Sequence, residues 1–331
     1  MIETPVRIGA IEAKNRLAMA PVATYLADAS GRVTPALCAH YAERAQLSGV
    51  GLIVTEHSFV APEGQAKPRQ VSACRDSDAM GLSALADACH NNGIAAVCQI
   101  SHAGGAARES VTGLRPVDPS GQVSPQAFKA GDGDGDPAAL DEAGIDRIVG
   151  AFAAAAHRVQ EAGFEGVELH AAHAYLLDQF YSPLMNLRAD AYGGTLENRL
   201  RIHLQVIAAM REAVGPGFAV GMRLGGCDYR EGGATIDDAV AAARILETAG
   251  IDYLSISGGW HAWRRPDHAE AGWFADQARA VRAAVEVPVM LAGGVKTRED
   301  AEALLAAGAC DIVAVGRPLL KNPAWPADIA Q

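Results

Sequence analysis

Short runs of β-branched or apolar residues alternate along the chain with longer Ala-rich stretches whose hydrophobic positions repeat at helical spacing. That alternation predicts a parallel sheet joined by crossover helices. Eight runs read as strands: Leu17–Ala20, Gly51–Thr55, Ala95–Ile100, Gly166–His170, Ala219–Leu224, Tyr253–Ser257, Val289–Ala292 and Ile312–Val315. Stretches near 35–48, 77–92, 143–162, 196–214, 236–249, 272–285 and 298–307 read as helices with one apolar face. Strand–helix units repeated eight times fit a closed (β/α)8 TIM barrel better than an open doubly wound sheet. The expected fold is therefore α/β, one barrel domain over residues 1–331.

Local chemistry marks the boundaries. Thr235 and Thr297 are each followed by acids within the first helical turn, where a capping hydroxyl and the positive end of the helix dipole favour them. Gly163, Gly250 and Gly308 each close an Ala-rich stretch just before a strand, the place of a C-terminal helix stop. The irregular stretch from Gly104 to about Asp141 reads as a long lid-like loop after the third strand. Its Asp132, Asp134 and Asp136 resemble a calcium loop, but Pro137 stands where an EF-hand needs Gly and Ala143 where its bidentate Glu belongs. A solvated loop is the better reading, and no metal is expected.

Composition then narrows the function classes. The 331 residues are 50% hydrophobic and 20% charged, an ordinary globular balance. A net charge of −11 repels phosphodiester backbones and acidic membrane surfaces, so nucleic acid and membrane are not expected as partners. The six cysteines never form a C-x-x-C pair, which leaves out a zinc ribbon or an iron–sulfur run and suits reduced thiols in the cytoplasm. No signal peptide or apolar span is seen. A small-molecule substrate is the expected partner, and a homo-oligomer is compatible with the sequence.

In a barrel the carboxyl ends of the strands carry the chemistry. Here they are followed by Pro21 to Thr24, Glu56 with His57, Gln99 with His102, His170 with His173 and Tyr175, Arg223, Ser257, Gly293 with Gly294, and Gly316 with Arg317. The last two groups, after strands seven and eight, read as a phosphate site of bare backbone N–H groups plus one guanidinium. His170 and His173 suit either a metal, which needs a third ligand such as His102 or Glu56, or a pair of hydrogen-bond donors. Tyr175 and Arg223 nearby favour the donors. Trp260 and Trp263, with Arg264 and Arg265, follow the sixth strand as a solvated loop or a substrate wall with aromatic faces for an apolar or cationic ligand.

The stretch ELHAAHAYLLDQFYSPLMNLRADAYGGTLENR over residues 168–199 closely resembles the defining segment of the Old Yellow Enzyme family of FMN-dependent oxidoreductases. Further matches are Lys14 to Pro21, Gln99 to Gly104, Leu291 to Val295 and Val315 to Pro318, so the likeness covers nearly the whole chain. The resemblance implies non-covalent FMN lined by Ala20, Pro21, Val22 and Ala23, with Gln99 on the pyrimidine edge and Arg223 beside N1 and O2. Gly293, Gly294, Gly316 and Arg317 would hold its phosphate. It further implies NADH or NADPH as electron donor, His170 and His173 on the substrate oxygen, and Tyr175 as proton donor. Thr24, Trp260 and Trp263 would complete the substrate wall.

The chain departs from the family at Ala23, where Cys or Thr is usual, and at Gly105, where Arg is frequent. Flavin attachment through a first-strand Cys is thus not expected. Neither are the iron–sulfur and dinucleotide domains of relatives that reduce dienoyl-CoA or oxidise methylamines, nor an active site completed by a neighbouring subunit's C-terminal arginine. The activity implied is reduction of the C=C bond of an α,β-unsaturated carbonyl or related electrophile. Alternatives are oxidative demethylation of an N-methyl amine and, from another class, a flavin-binding redox sensor without turnover. A dihydrouridine synthase, also an FMN barrel, fits poorly with the acidic charge.

Overall fold

A computed structural model describes residues 1–90, 93–121, 136–265 and 267–326. Eight parallel strands close into a barrel: β1 (Leu17–Met19), β2 (Leu52–Phe59), β3 (Ala95–Ser101), β4 (Gly166–Ala171), β5 (Ala219–Leu224), β6 (Tyr253–Ile256), β7 (Val289–Ala292) and β8 (Ile312–Val315). They pair in sequence order, and Val313 opposite Leu17 closes the ring. Each expected strand run overlaps one of these.

The main outer helices are α1 (Pro35–Leu47), α2 (Ala79–Cys89), α3 (Glu142–Glu161), α4 (Arg201–Val214), α5 (Ile236–Thr248), α6 (Ala275–Arg282), α7 (Arg298–Ala306) and the short α8 (Arg317–Lys321). Helices α5 and α7 start with the reciprocal caps that their threonines foretold: Thr235 pairs with Asp238 and Thr297 with Asp300. Gly163, Gly250 and Gly308 hold φ of 93°, 98° and 64°, the left-handed stop expected after α3, α5 and α7.

Two features have no counterpart among the expected elements. An antiparallel hairpin, Val6–Ile8 with Ile11–Ala13, precedes β1. Its Ile8 and Ile11 are buried against Leu52, Val97, Tyr253 and Ile312 inside the barrel, so the hairpin plugs the amino-terminal end. In β2 the pairing with β3 shifts register between Thr55 and Ser58. Such a bulge re-aims side chains, here those of Glu56 and His57. Of the long loop after β3, the described parts hold a helical turn, Glu109–Thr112, and a two-residue ladder of Val117–Asp118 with Ala138–Ala139. Residues 122–135, with Asp132 and Asp134 of the acidic run, lie outside the described residues, as does Pro266.

Candidate active site

The open carboxyl end of the barrel holds a cavity of about 380 Å³. Ala20 to Ala23 line it from β1, His57 from β2, Gln99 from β3, His170, His173 and Tyr175 from β4, and Arg223 from β5. Ser257 and Trp263 after β6, Gly293 and Gly294 after β7, and Gly316 with Arg317 after β8 complete the ring. Consecutive parallel strands present their ends side by side, which is why residues as far apart in the chain as Ala20 and Arg317 meet here.

Buried hydrogen bonds orient the floor. Glu168, fully buried on β4, accepts from Gln99 Nε2 at 2.7 Å and from the Tyr253 hydroxyl at 3.0 Å. Gln99 Oε1 is therefore the amide end left as an acceptor. Burial raises the Glu168 pKa, and the positive charge of Arg223 opposes that shift. Arg223 Nη2 donates to Ser257 Oγ at 3.0 Å, and Ser257 Oγ lies 2.8 Å from His173 Nε2. The serine hydroxyl thus ties the guanidinium to the imidazole and fixes the His173 ring.

The imidazole of His170 stands edge-on to that of His173 with ring centres 4.9 Å apart, and 4.8 Å from the Tyr175 ring. His57 adds a third imidazole, 5.8 Å from His170 and 5.5 Å from Tyr175. Burial pushes the pKa of His170 and His173 well below the usual imidazole range; His173 next disfavours charge on His170, and Arg223 does so on His173. These rings are neutral donors at neutral pH. Burial, and then Tyr25, raises the Tyr175 phenol, which keeps its proton.

This cluster rests on an unusual backbone. His173 and Ala174 both take φ of 59°, a region that costs an L-residue roughly 1–2 kcal/mol. Asp178, buried one helical turn on, accepts the Ala174 N–H at 2.6 Å and pins the pair.

At the β7–β8 side the chain supplies donors and leaves them open. Gly294 has φ of 74°, and a Cβ there would meet Trp273 Nε1 at 2.6 Å; at Gly316 a Cβ would meet Val22 at 2.8 Å. The Arg317 guanidinium lies 4.9 Å from the Trp273 ring centre and pairs with no acid among the described residues. Among the described residues Arg223 Nε, Trp273 Nε1 and His170 Nδ1 are buried without a hydrogen-bond partner.

Some sequence candidates sit elsewhere. Trp260 is buried outside the cavity lining, packed with Ala174 and Met185 and stacked by Arg230 at 5.0 Å, because its loop turns inward at Gly258 and Gly259. Thr24 donates its N–H to Glu56 Oε2 at 3.1 Å and accepts from Leu26, so it forms the rear of the β1 wall. His102 is buried beneath Gly64, its Nδ1 taken by the Gly104 N–H. Glu56, lifted to about 7 by burial, stays behind Thr24. Among the described residues no group of three ligands is placed to hold a metal ion. Tyr25, Lys67 and Trp273 line the cavity without a motif of their own; each comes from a loop whose path depends on contacts distant in sequence.

The family model described as NADH:flavin oxidoreductase / NADH oxidase family matches residues 2–331. The chain belongs to that family. Its cofactor is FMN, and NADH or NADPH is named for its members. NADH oxidase of Thermoanaerobacter brockii is 37% identical over 326 residues, covering 97% of this chain and 49% of that protein. This chain thus spans about half the length of that curated relative. NADPH dehydrogenase of Halalkalibacterium halodurans is 33% identical over 319 residues, covering 96% of this chain and 90% of that one. Among solved structures, morphinone reductase in complex with tetrahydroNAD superposes with a TM-score of 0.84 at 29% identity, covering 98% and 89% of the two chains. No described helix is long and apolar enough to cross a membrane.

Proposed function

We propose that this chain is an FMN-dependent NAD(P)H oxidoreductase that reduces the activated C=C bond of an α,β-unsaturated carbonyl or related electrophile. One observation carries the reading: two neutral imidazoles and a protonated phenol converge on one cavity beside a set of unpartnered donors. The names of the similar proteins, NADPH dehydrogenase and morphinone reductase, support it.

The residues present suit FMN. Arg317, paired with no acid among the described residues, with the bare backbone at Gly293, Gly294 and Gly316, would take the phosphate. Gln99 Oε1 offers an acceptor and the orphaned Arg223 Nε a donor to the pyrimidine edge, and Ala20 to Ala23 would line one side of the ring. Bound FMN supplies the hydride that NAD(P)H delivers.

His170 and His173 would hold the substrate oxygen and stabilise the negative charge that builds there, each donor contributing roughly 10²–10³ in rate. Because both rings are neutral, they give hydrogen bonds without surrendering a proton. Tyr175 Oη would then pass its proton to the α carbon, a general-acid contribution of about 10²–10⁴. The Arg223–Ser257 chain holds the His173 ring in place.

Trp263, 57% exposed and edge-on to His173 at 6.4 Å, supports a second reading as an N-methyl amine demethylase, since an aromatic face attracts an alkylammonium. The substrate wall would then be Trp263 with Tyr25. Residues 1–331 act in either case as one FMN-binding barrel domain, and six free cysteines suit the cytoplasm.

The visible spectrum of the anaerobic holoenzyme tests the choice. Bleaching of the flavin bands by NADPH or NADH and their return on adding cyclohexenone is the expected result. Bleaching by an N-methyl amine but not by NAD(P)H would replace it with the demethylase, and bleaching with no return on any alkene would leave the redox sensor.

A further inference from the structure

The bulge in β2 brings His57 to the cavity wall, and the loop that follows fixes which of its nitrogens bears the proton. His57 Nδ1 lies 2.7 Å from Gln70 Nε2, which also donates to the His57 carbonyl at 3.1 Å. The buried Gln70 amide cannot be turned round, because its Oε1 accepts the Ala66 N–H at 2.7 Å. Nδ1 is therefore an acceptor and the neutral ring carries its proton on Nε2. Burial, then Arg223, pushes His57 down to about 4, so the ring is neutral across the physiological range. Among the described residues the hydrogen bonds of the ring all run through Nδ1. The Nε2–H is left for the cavity that His57 lines.

We propose that His57 is a specificity-determining residue whose Nε2–H binds a second oxygen on the substrate, so that the site favours activated alkenes with two oxygen acceptors, such as enediones, over simple enones. This deepens the ene-reductase reading and rests on it. His170 and His173 serve one carbonyl oxygen. A substrate with that oxygen alone covers the His57 N–H without pairing it, and a covered, unpaired donor loses its water at a cost. A second carbonyl restores the hydrogen bond. Sites built to bond a polar group discriminate strongly against the analogue that lacks it. Lys67, on the same loop as Gln70, lines the same wall and adds a positive field that favours oxygen there.

The test titrates the oxidised holoenzyme, read by the shift of its flavin absorbance, with ketoisophorone and with the analogue lacking its second carbonyl. The wild type should bind the dione about three- to tenfold tighter, the range of one ordinary hydrogen bond. His57→Phe should bring that ratio close to one, and His57→Gln, which keeps an N–H donor, should recover part of it. A ratio unchanged by His57→Phe, or no preference in the wild type, overturns the proposal. Should His57→Phe fail to fold, ¹⁵N-histidine spectra of the wild type decide. The proton on Nε2, and an Nε2 shift moved by the dione but not by the mono-ketone, would support the role; equal movement would remove it. Turnover with NADPH is followed in parallel. Reduction of both compounds without discrimination at His57 defeats this inference alone, whereas neither binding nor reduction of either compound defeats the ene-reductase reading and the inference with it.

Discussion

The two ends of the cavity are built on opposite principles. On the β2–β6 side the chain braces its own side chains: His173 is held through Ser257 by Arg223, His57 through Gln70 by Ala66, and the Ala174 backbone by Asp178, while His170 Nδ1 and Arg223 Nε stay open among the described residues. On the β7–β8 side glycines keep the backbone bare, and among the described residues Trp273 Nε1 has no partner and Arg317 lies over an aromatic face without an acid. A side whose rings are braced by hydrogen bonds can present fixed donors to a changing guest. A side whose donors are open needs a resident guest to close them. The first suits a substrate that turns over, the second the phosphate of a cofactor that stays.

Substitutions should separate the two ends. His170→Ala with His173→Ala should lower enone kcat/KM by roughly 10³ or more while FMN remains bound, since each lost donor costs about 10²–10³; loss of flavin in that variant would merge the two ends. Arg317→Ala should do the reverse, weakening FMN retention by about ten- to a hundredfold, the range of one charge-assisted contact. Full flavin occupancy after dialysis would sink the phosphate assignment.

Ala174→Gly should stabilise the holoenzyme by roughly 1 kcal/mol, because glycine takes a left-handed backbone freely. Thermal unfolding at fixed FMN concentration reads the shift, and a lower midpoint would show that Ala174 contributes packing worth more than its strain. The smallest effect is an expected flatness in pH. Burial places the folded-state pKa of His170 and His173 far below 6.5 and that of His57 at about 4. Protonation of these rings is therefore resisted as pH falls through 6.5, and the neutral donors persist. Enone affinity of the oxidised protein should hold steady from about pH 8 to pH 5.5; a step near 6.5 would mean that one of the rings charges there.

Much of this was legible along the chain, for local reasons. Each strand that forms the barrel follows a glycine, a proline or a polar break, and Thr235 and Thr297 carry their partners three residues on. His170, His173 and Tyr175 fall within six positions of one strand end, so topology alone delivers them to the mouth. Signals that depend on distant packing were not legible. Trp260 and Trp263 look equivalent in sequence, yet one is buried against Met185 and the other stands at the cavity. Trp273 reaches the site only because Gly294, on another βα unit, leaves room for it. His57 needs both the β2 bulge and Gln70, thirteen residues on, to become a directed donor.

The hairpin wedged into the amino-terminal end gives the barrel one doorway. Traffic through a single doorway alternates: a nicotinamide donor and an alkene that both seek the same chamber must wait for one another, so an excess of either slows the other. Reciprocal plots of rate at several fixed donor levels would then run parallel rather than converge, the signature of two reactants that use one cavity in turn.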